Sequence, residues 1–342
     1  MKKILLSCLA AMCLFPHLIA QSNCDAGRFL TEIFPQFSLT ANIEYGENVQ
    51  PTLLDPDARQ TLFMDVYQPL GDTMSKRPLI IFAFGGGFVL GERDSPDIVE
   101  LCERFARRGY VTASIDYRLT PELVFAPSEA LAFRAVLKGT HDMRAAVRFF
   151  TKDAQTSNLF KIDPDQIIVG GVSAGGFAAL HTAYLDKIEE IPDAIIADTA
   201  TTGGLEGLSG NPAYSSEVIA VVNLSGALGD SSWLETGDQP VVHAHGTADA
   251  IVPYGSGPIG LFGGAGITSV DGSASIQIRA DNIGVPSALL SFQGLGHVPF
   301  SSGPNNAAFM DSTIEFVANF LHPIISGRQR HDGCGGDACL HR

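Results

Sequence analysis

Gly170-Gly171-Val172-Ser173-Ala174-Gly175-Gly176 follows directly on the apolar run Gln166-Ile167-Ile168-Val169 and leads into Phe177-Ala178-Ala179-Leu180. The run before it reads as a strand over 166–172, and the stretch from Ala174 to about Asp186 as a helix. A serine between them, crowded by small residues, sits on a turn too tight for side chains. Gly171-Val172-Ser173-Ala174-Gly175 fits Gly-X-Ser-X-Gly. Between a strand and a helix that pattern forces the serine into a strained backbone region and exposes its hydroxyl. The pattern alone arises by chance in Gly- and Ala-rich loops; the flanking elements give it weight.

Working outward, strands are expected over 61–67, 79–84, 110–115, 218–224, 241–245 and 287–292. Ser95-Pro96 opens a helix that stops at Gly109, with serine as cap and proline in the first turn. A long helix from about Pro127 to Ala154 carries Leu131, Ala135, Met143, Val147 and Phe150 on apolar positions, and Gly139 interrupts that stripe. A last helix is expected near 306–321. Strands alternating with helices predict an α/β fold, a mostly parallel sheet with helices on both faces. The stretch between Cys24 and Leu62 is too short for a large cap domain. Thr201–Ser216 and the Gly-rich Tyr254–Ala274 read as excursions from the scaffold. Asp163-Pro164-Asp165 reads as a turn before a strand, and Asp142 and Arg144 as surface or structural charges.

A serine nucleophile needs a base, and the base an orienting acid. Asp249 follows the strand ending at 245 and His297 follows the strand ending at 292. All three groups therefore fall at the carboxyl edge of a parallel sheet, where such sheets bind ligands. His245 is the alternative base, but it is nearer its strand and reads as structural. Phe84-Gly85-Gly86-Gly87-Phe88 supplies uncovered backbone N–H groups suited to an oxyanion hole. A phosphate loop is the alternative, and it lacks the Gly-Lys-Ser/Thr ending or the dinucleotide glycine spacing. Phe88 and Trp233 are the candidate substrate contacts; for Trp233, packing under a loop is the plainer reading.

From about Leu62 to Leu321 the chain resembles the α/β-hydrolase superfamily, within it the hormone-sensitive-lipase-like carboxylesterases. The resemblance rests on Gly85-Gly86-Gly87-Phe88, Asp116-Tyr117-Arg118-Leu119-Thr120-Pro121-Glu122, the Ser173 turn, Asp249 and His297. It implies Ser173 as nucleophile, His297 as base, Asp249 as acid, and an oxyanion hole from Gly86, Gly87 and Ala174. Two departures stand out. The usual histidine before the glycines is Phe84, which can steady the loop only by packing. His245-Gly246-Thr247-Ala248-Asp249 is closer to feruloyl-esterase-like and depolymerase-like hydrolases. The expected activity is a serine carboxylic-ester hydrolase without metal or organic cofactor. A prolyl-peptidase-like serine peptidase and a non-catalytic binding protein on the same scaffold are the alternatives.

The remaining features set the context. Of 342 residues, 45% are hydrophobic and 17% charged, enough for a large core. The net charge of −15 excludes nucleic acid and anionic lipid as main partners. Met1–Ala20 reads as a cleaved secretory leader, so a secreted or periplasmic protein is expected, with no integral membrane span and an ester substrate as its partner. The expected organisation is a leader over 1–20, a catalytic domain over 21–325 and a tail over 326–342. Cys24, Cys102, Cys334 and Cys339 form an even set in an oxidising compartment. Four cysteines allow three connectivities, of which a local Cys334–Cys339 link with Cys24–Cys102 is the expected one; a zinc site from His331, Cys334, Cys339 and His341 is the alternative, with irregular spacing.

Overall fold

Apolar runs alternating with helices condense into one eight-stranded sheet and a small three-stranded one. The computed structural model describes residues 27–52, 54–260 and 266–331. Its strands are β1 (Phe37–Val49), β2 (Arg59–Pro69), β3 (Arg77–Ala83), β4 (Val111–Ile115), β5 (Ile162–Val172), β6 (Ala220–Leu224), β7 (Ala227–Leu228), β8 (Val241–Gly246), β9 (Ser256–Ile259), β10 (Thr268–Gly272) and β11 (Ser287–Phe292). The helices are α1 (Pro96–Arg107), α2 (Glu129–Gln155), α3 (Ala174–Tyr184), α4 (Asp193–Thr202), α5 (Ser273–Ile283) and α6 (Ala307–His331). The main sheet runs β1-β2-β4-β3-β5-β6-β8-β11. It is parallel from β4 to β11, and only β1 and β2 run antiparallel to their neighbours. Every residue of β3, β4, β6 and β8 is buried, as expected for strands covered on both faces. Helix α1 packs with α6, and α2 packs with α3. This is the mostly parallel α/β sheet that the alternation predicted and the α/β-hydrolase arrangement that the resemblance implied.

The differences from the sequence reading have physical causes. β1, for which the sequence reading expects no strand, is an edge strand, largely exposed, with two register shifts. Its apolar anchor is Tyr45, whose hydroxyl donates to the Asp116 carbonyl. Helix α2 is unbroken through Gly139: a Cβ there would meet the Phe88 ring at 2.9 Å, so the glycine makes room for a neighbour. β5 starts at Ile162 and so includes Asp163-Pro164-Asp165, with the Asp163 carboxylate accepting from Asp165 N–H and Gln166 Nε2–H. The stretch 254–274 is no mere excursion, since within it β10 pairs with β9 on one side and with β7 on the other. The 201–216 stretch begins as the last turn of α4. Helix α6 continues past Leu321 and through Pro323 to His331, so the expected boundary at 325/326 falls inside a helix. Cys102 is a free, wholly buried thiol, pushed up by burial. The leader, Cys24, Cys334 and Cys339 lie outside the described residues.

Two charges of α2 are structural. Asp142 is fully buried and accepts both Nε–H and Nη2–H of Arg118 at 2.9–3.1 Å, the Arg118 backbone N–H at 2.8 Å and the Ser209 hydroxyl at 2.5 Å. Arg118 Nη1 also donates to the Val49 carbonyl. One ion pair thus ties α2 to β1, to the loop after β4 and to the loop before β6. Arg144 donates to the carbonyls of His181, Thr182 and Leu185 at the end of α3. Removing Asp142 strands a buried guanidinium. Asp142→Ala is expected to lower unfolding free energy by about 3–5 kcal/mol in urea titration. Arg134→Ala, which breaks the exposed Arg134–Asp198 pair, should change it by no more than about 1 kcal/mol.

Candidate active site

Ser173 occupies the turn between β5 and α3 with φ 52° and ψ −116°, a region that non-glycine residues rarely adopt. The reason is close approach. A Cβ at Gly171 would lie 2.2 Å from Gly175, one at Gly175 2.0 Å from the Ala83 carbonyl oxygen, and one at Gly176 2.7 Å from Asn223 Oδ1. Helix α3 therefore starts against the bare backbone of β3 and β5, and the turn has no room to relax. The Ser173 N–H is fixed on the Leu224 carbonyl at 2.8 Å. Its hydroxyl projects from the carboxyl end of the sheet.

His297 and Asp249 reach the same edge from the ends of β11 and β8. The Ser173 hydroxyl donates to His297 Nε2 at 2.8 Å, and His297 Nδ1–H donates to Asp249 Oδ2 at 2.6 Å. The two loops close on each other at Gly246, where a Cβ would be 2.1 Å from the Gly296 carbonyl oxygen. Asp249 is held by four donors. Ile251 and Val252 N–H bind Oδ1 at 2.8 and 3.0 Å, while His245 Nε2–H joins His297 on Oδ2 at 3.1 Å. Burial opposes the charge, but the hydrogen bonds from His245 and His297 outweigh it and hold the carboxyl well below the usual carboxylate range.

His245 is wholly buried and does not reach Ser173. Its Nε2 faces two acceptors, Asp249 Oδ2 and the Val252 carbonyl, so Nε2 carries the proton and Nδ1 accepts from the Ser273 hydroxyl at 2.8 Å. Asn223 Nδ2 then bridges Ser273 Oγ and His243 Nδ1. Burial lowers the His243 pKa to about 3, so this network runs from Asp249 into the core without added charge.

The glycine loop lies beside Ser173: a Cβ on Gly85 would sit 3.3 Å from the Ser173 Cβ. Gly86 and Gly87 have φ of 125° and 62°, which favours glycine, and their N–H groups donate to no described protein acceptor. Ala174 opens α3, where amides lack intrahelical acceptors. All three residues line the cavity that holds Ser173 and His297. The loop's support comes from Phe84, 1% exposed, whose ring stacks on Tyr117 at 4.3 Å. The Tyr117 hydroxyl donates to the Phe84 carbonyl at 2.9 Å. Phe84 thus steadies the loop by packing, with a tyrosine supplying the hydrogen bond. A Cβ at Gly91 would strike the Phe84 ring at 2.5 Å. Asp116 fixes the loop's far end by accepting from Arg93 at 2.5 Å.

The cavity is about 540 Å³, with walls that include Phe88, Phe133, Phe177, Trp233, Ile251 and Val270. Phe88 sits between Tyr117 and Phe177. Trp233 fits both of its sequence readings, lining the cavity while lying over Gly229, where a Cβ would be 2.5 Å from its ring. His245 is structural, as its place near the strand suggested, while sequence reasoning missed the support given by Tyr117 and the face of α3 carrying Phe177 and His181. The signal for that face was present in part: Phe177 and His181 follow Ser173 at steps of four. No group of three or more His, Cys, Asp or Glu side chains suited to a metal occurs among the described residues.

Comparison with known proteins agrees with this architecture. The family model BD-FAE matches residues 64–229. Secreted lipase 5 of Gibberella zeae is 30% identical over 138 residues, 39% of this chain and 25% of that protein. Carboxylic ester hydrolase LipN of Mycobacterium tuberculosis is 36% identical over 111 residues, 32% of this chain and 25% of that protein. The chain thus spans a quarter of the length of these relatives. Among solved structures, an esterase from Thermogutta terrifontis with propionate bound superposes with a TM-score of 0.59 at 22% identity, covering 85% of this chain and 95% of that one.

The Asp249 environment has a consequence for stability. Because the folded carboxyl is held below its ordinary value of about 3.9, its ionised form stabilises the fold above that pH, and the contribution fades as pH falls below it. Urea midpoints measured at pH 5 and pH 3 should therefore fall further for the wild type than for Asp249→Asn.

Proposed function

We propose that the chain, which has the α/β-hydrolase fold, is a secreted serine carboxylic-ester hydrolase working through an acyl-enzyme on Ser173. The carrying observation is the hydrogen-bonded chain Ser173–His297–Asp249 beside the unpartnered amides of Gly86 and Gly87, in an apolar cavity. The Ser173 oxygen attacks the ester carbonyl carbon while His297 Nε2 takes its proton. Asp249, kept ionised, holds the imidazole with Nε2 free to accept and stabilises the imidazolium that forms. The carbonyl oxygen, now an oxyanion, receives N–H groups from Gly86, Gly87 and Ala174. Collapse expels the alcohol, which takes the proton from His297. Water then attacks the acyl carbon, with His297 as base, and collapse returns the proton to Ser173 as the acid leaves.

The relatives' names, a lipase and a carboxylic ester hydrolase, support esters as the substrate class. Export rests on the leader-like Met1–Ala20, and an N-terminus at Gln21 in secreted material tests it. In an oxidising compartment Cys334 and Cys339 pair locally; mass mapping of non-reduced peptides reads that link and any Cys24–Cys102 link together. Among the described residues no helix is long and apolar enough to cross a membrane.

Turnover of p-nitrophenyl acetate and butyrate tests the reading. Ser173→Ala and His297→Ala are each expected to lower kcat by about 10³-fold or more, with Asp249→Asn retaining more than either. Full activity in Ser173→Ala excludes the assignment. Phe84→Ala and Tyr117→Phe loosen the donor loop without touching Ser173. Both should lower kcat with little change in KM, since a misplaced oxyanion donor costs roughly 3 kcal/mol of transition-state stabilisation.

A further inference from the structure

His181 lies two turns beyond Ser173 on α3, follows Phe177 on the same face, and lines the cavity although its side chain is only 2% exposed. Its Nδ1 is 2.8 Å from the Phe177 carbonyl. A carbonyl only accepts, so Nδ1 carries the proton and Nε2 is a bare acceptor. Burial, reinforced by nearby Arg144 and opposed by the Phe177 bond, lowers the pKa to about 4, so the ring stays neutral through the ordinary working range. No described protein group donates to Nε2. The neighbours of the imidazole are rings: Phe177 stacked at 6.2 Å, Trp233 edge-on at 5.6 Å and Phe133 edge-on at 6.3 Å.

An acceptor facing an aromatic pocket costs free energy unless something donates to it. The acidic groups of the cavity wall are differently placed, because each already has a protein donor. Glu129 accepts from Thr268, Glu190 from the Asp186 and Lys187 amides, and Asp97 from the Ile98 amide. No lysine or arginine lines the cavity among the described residues. Nothing there pairs with an anionic end group, whereas His181 is suited to a neutral donor.

We propose that His181 is a specificity-determining residue, and that the arm of the cavity around it takes an acyl or alcohol group ending in a hydrogen-bond donor, a hydroxyl above all. Eight residues of α-helix separate His181 from Ser173 by about 12 Å. Allowing about 3 Å for the hydrogen bond leaves a spacer of roughly 9 Å between the ester carbonyl and the donor. The proposal rests on the ester hydrolysis at Ser173 argued above, and adds a rule for its substrate: a methyl-terminated chain leaves Nε2 unpaired, and a hydroxyl-terminated chain satisfies it.

The test compares matched esters with and without the terminal hydroxyl. For the acyl arm these are p-nitrophenyl hexanoate and octanoate against their 6-hydroxy and 8-hydroxy counterparts; for the alcohol arm, hexyl acetate against 6-hydroxyhexyl acetate. The ratio of kcat/KM, hydroxyl over methyl, is taken within each protein, so any loss of folded enzyme cancels. In one of the two arms the wild-type ratio should be at least one. It should fall by about tenfold in both His181→Phe and His181→Leu, the loss of one hydrogen bond, and mostly through KM. A ratio that moves by less than about twofold in both arms overturns the proposal. Should neither variant be soluble, a wild-type preference for the methyl compound in every pair overturns it equally. If the wild type hydrolyses none of the esters, p-nitrophenyl acetate included, the ester-hydrolase reading has failed; if it hydrolyses them and the ratio ignores His181, only this inference has.

Discussion

The contact between the start of α3 and the bare backbone of β3 and β5 is the constraint on which the rest depends. With Gly171 and Gly175 carrying no Cβ, the helix approaches until the turn before it has one conformation left, and Ser173 takes that strain. The cost, of order 1–3 kcal/mol for such a backbone, is offset by a large core: β3 and β5 lie centrally in the sheet and are almost wholly buried. The same contact brings Ala174 N–H and the glycine loop to one side of the hydroxyl. Position of the serine and position of the donors are therefore a single packing event.

Around that contact the chain uses two kinds of brace. The first is aromatic: Phe84 lies between Tyr117 and the space that Gly91 leaves open, while Phe88 leans on Tyr117 and Phe177. The second is ionic, part-buried at Arg93 and buried at Asp142. Asp116 holds Arg93 and Arg118 holds Asp142, so consecutive residues 116, 117 and 118 each fix a different segment near the site. A buried pair gives little net stability but is costly to break, which suits a residue whose task is to hold segments in register. The conspicuous Asp-Tyr-Arg run is in this sense scaffolding for the glycine loop.

Asp249 shows how a charge is kept inside. It has four donors and no solvent-exposed side-chain surface, and two of its partners are imidazoles with opposite tasks. His297 is half-buried and meets Ser173; His245 is sealed and meets only protein. Tautomer distinguishes them: His245 must carry its proton on Nε2 because both atoms that Nε2 faces are acceptors. His181, another buried imidazole near the site, has the reverse assignment, and its Nε2 is left as an acceptor on a residue that lines the cavity.

Local pattern determined much of this in advance. Strand and helix alternation, the serine turn, the order Ser173, Asp249, His297 and the run of glycines are features of neighbouring residues, and neighbouring residues fix them. Burial of Phe84 followed from its place at the end of an apolar strand. What lay beyond the sequence were contacts between segments far apart in the chain. Edge strand β1 carries no apolar alternation because most of it faces solvent, and only pairing with β2 makes it a strand. Gly139 looks like a helix breaker until Phe88 arrives from 51 residues earlier to occupy its space. Tyr117 beneath Phe84, Arg118 on Asp142 and the aromatic ring of side chains about His181 depend likewise on packing. Periodicity reports which way a side chain points, and only the folded chain decides what it meets there.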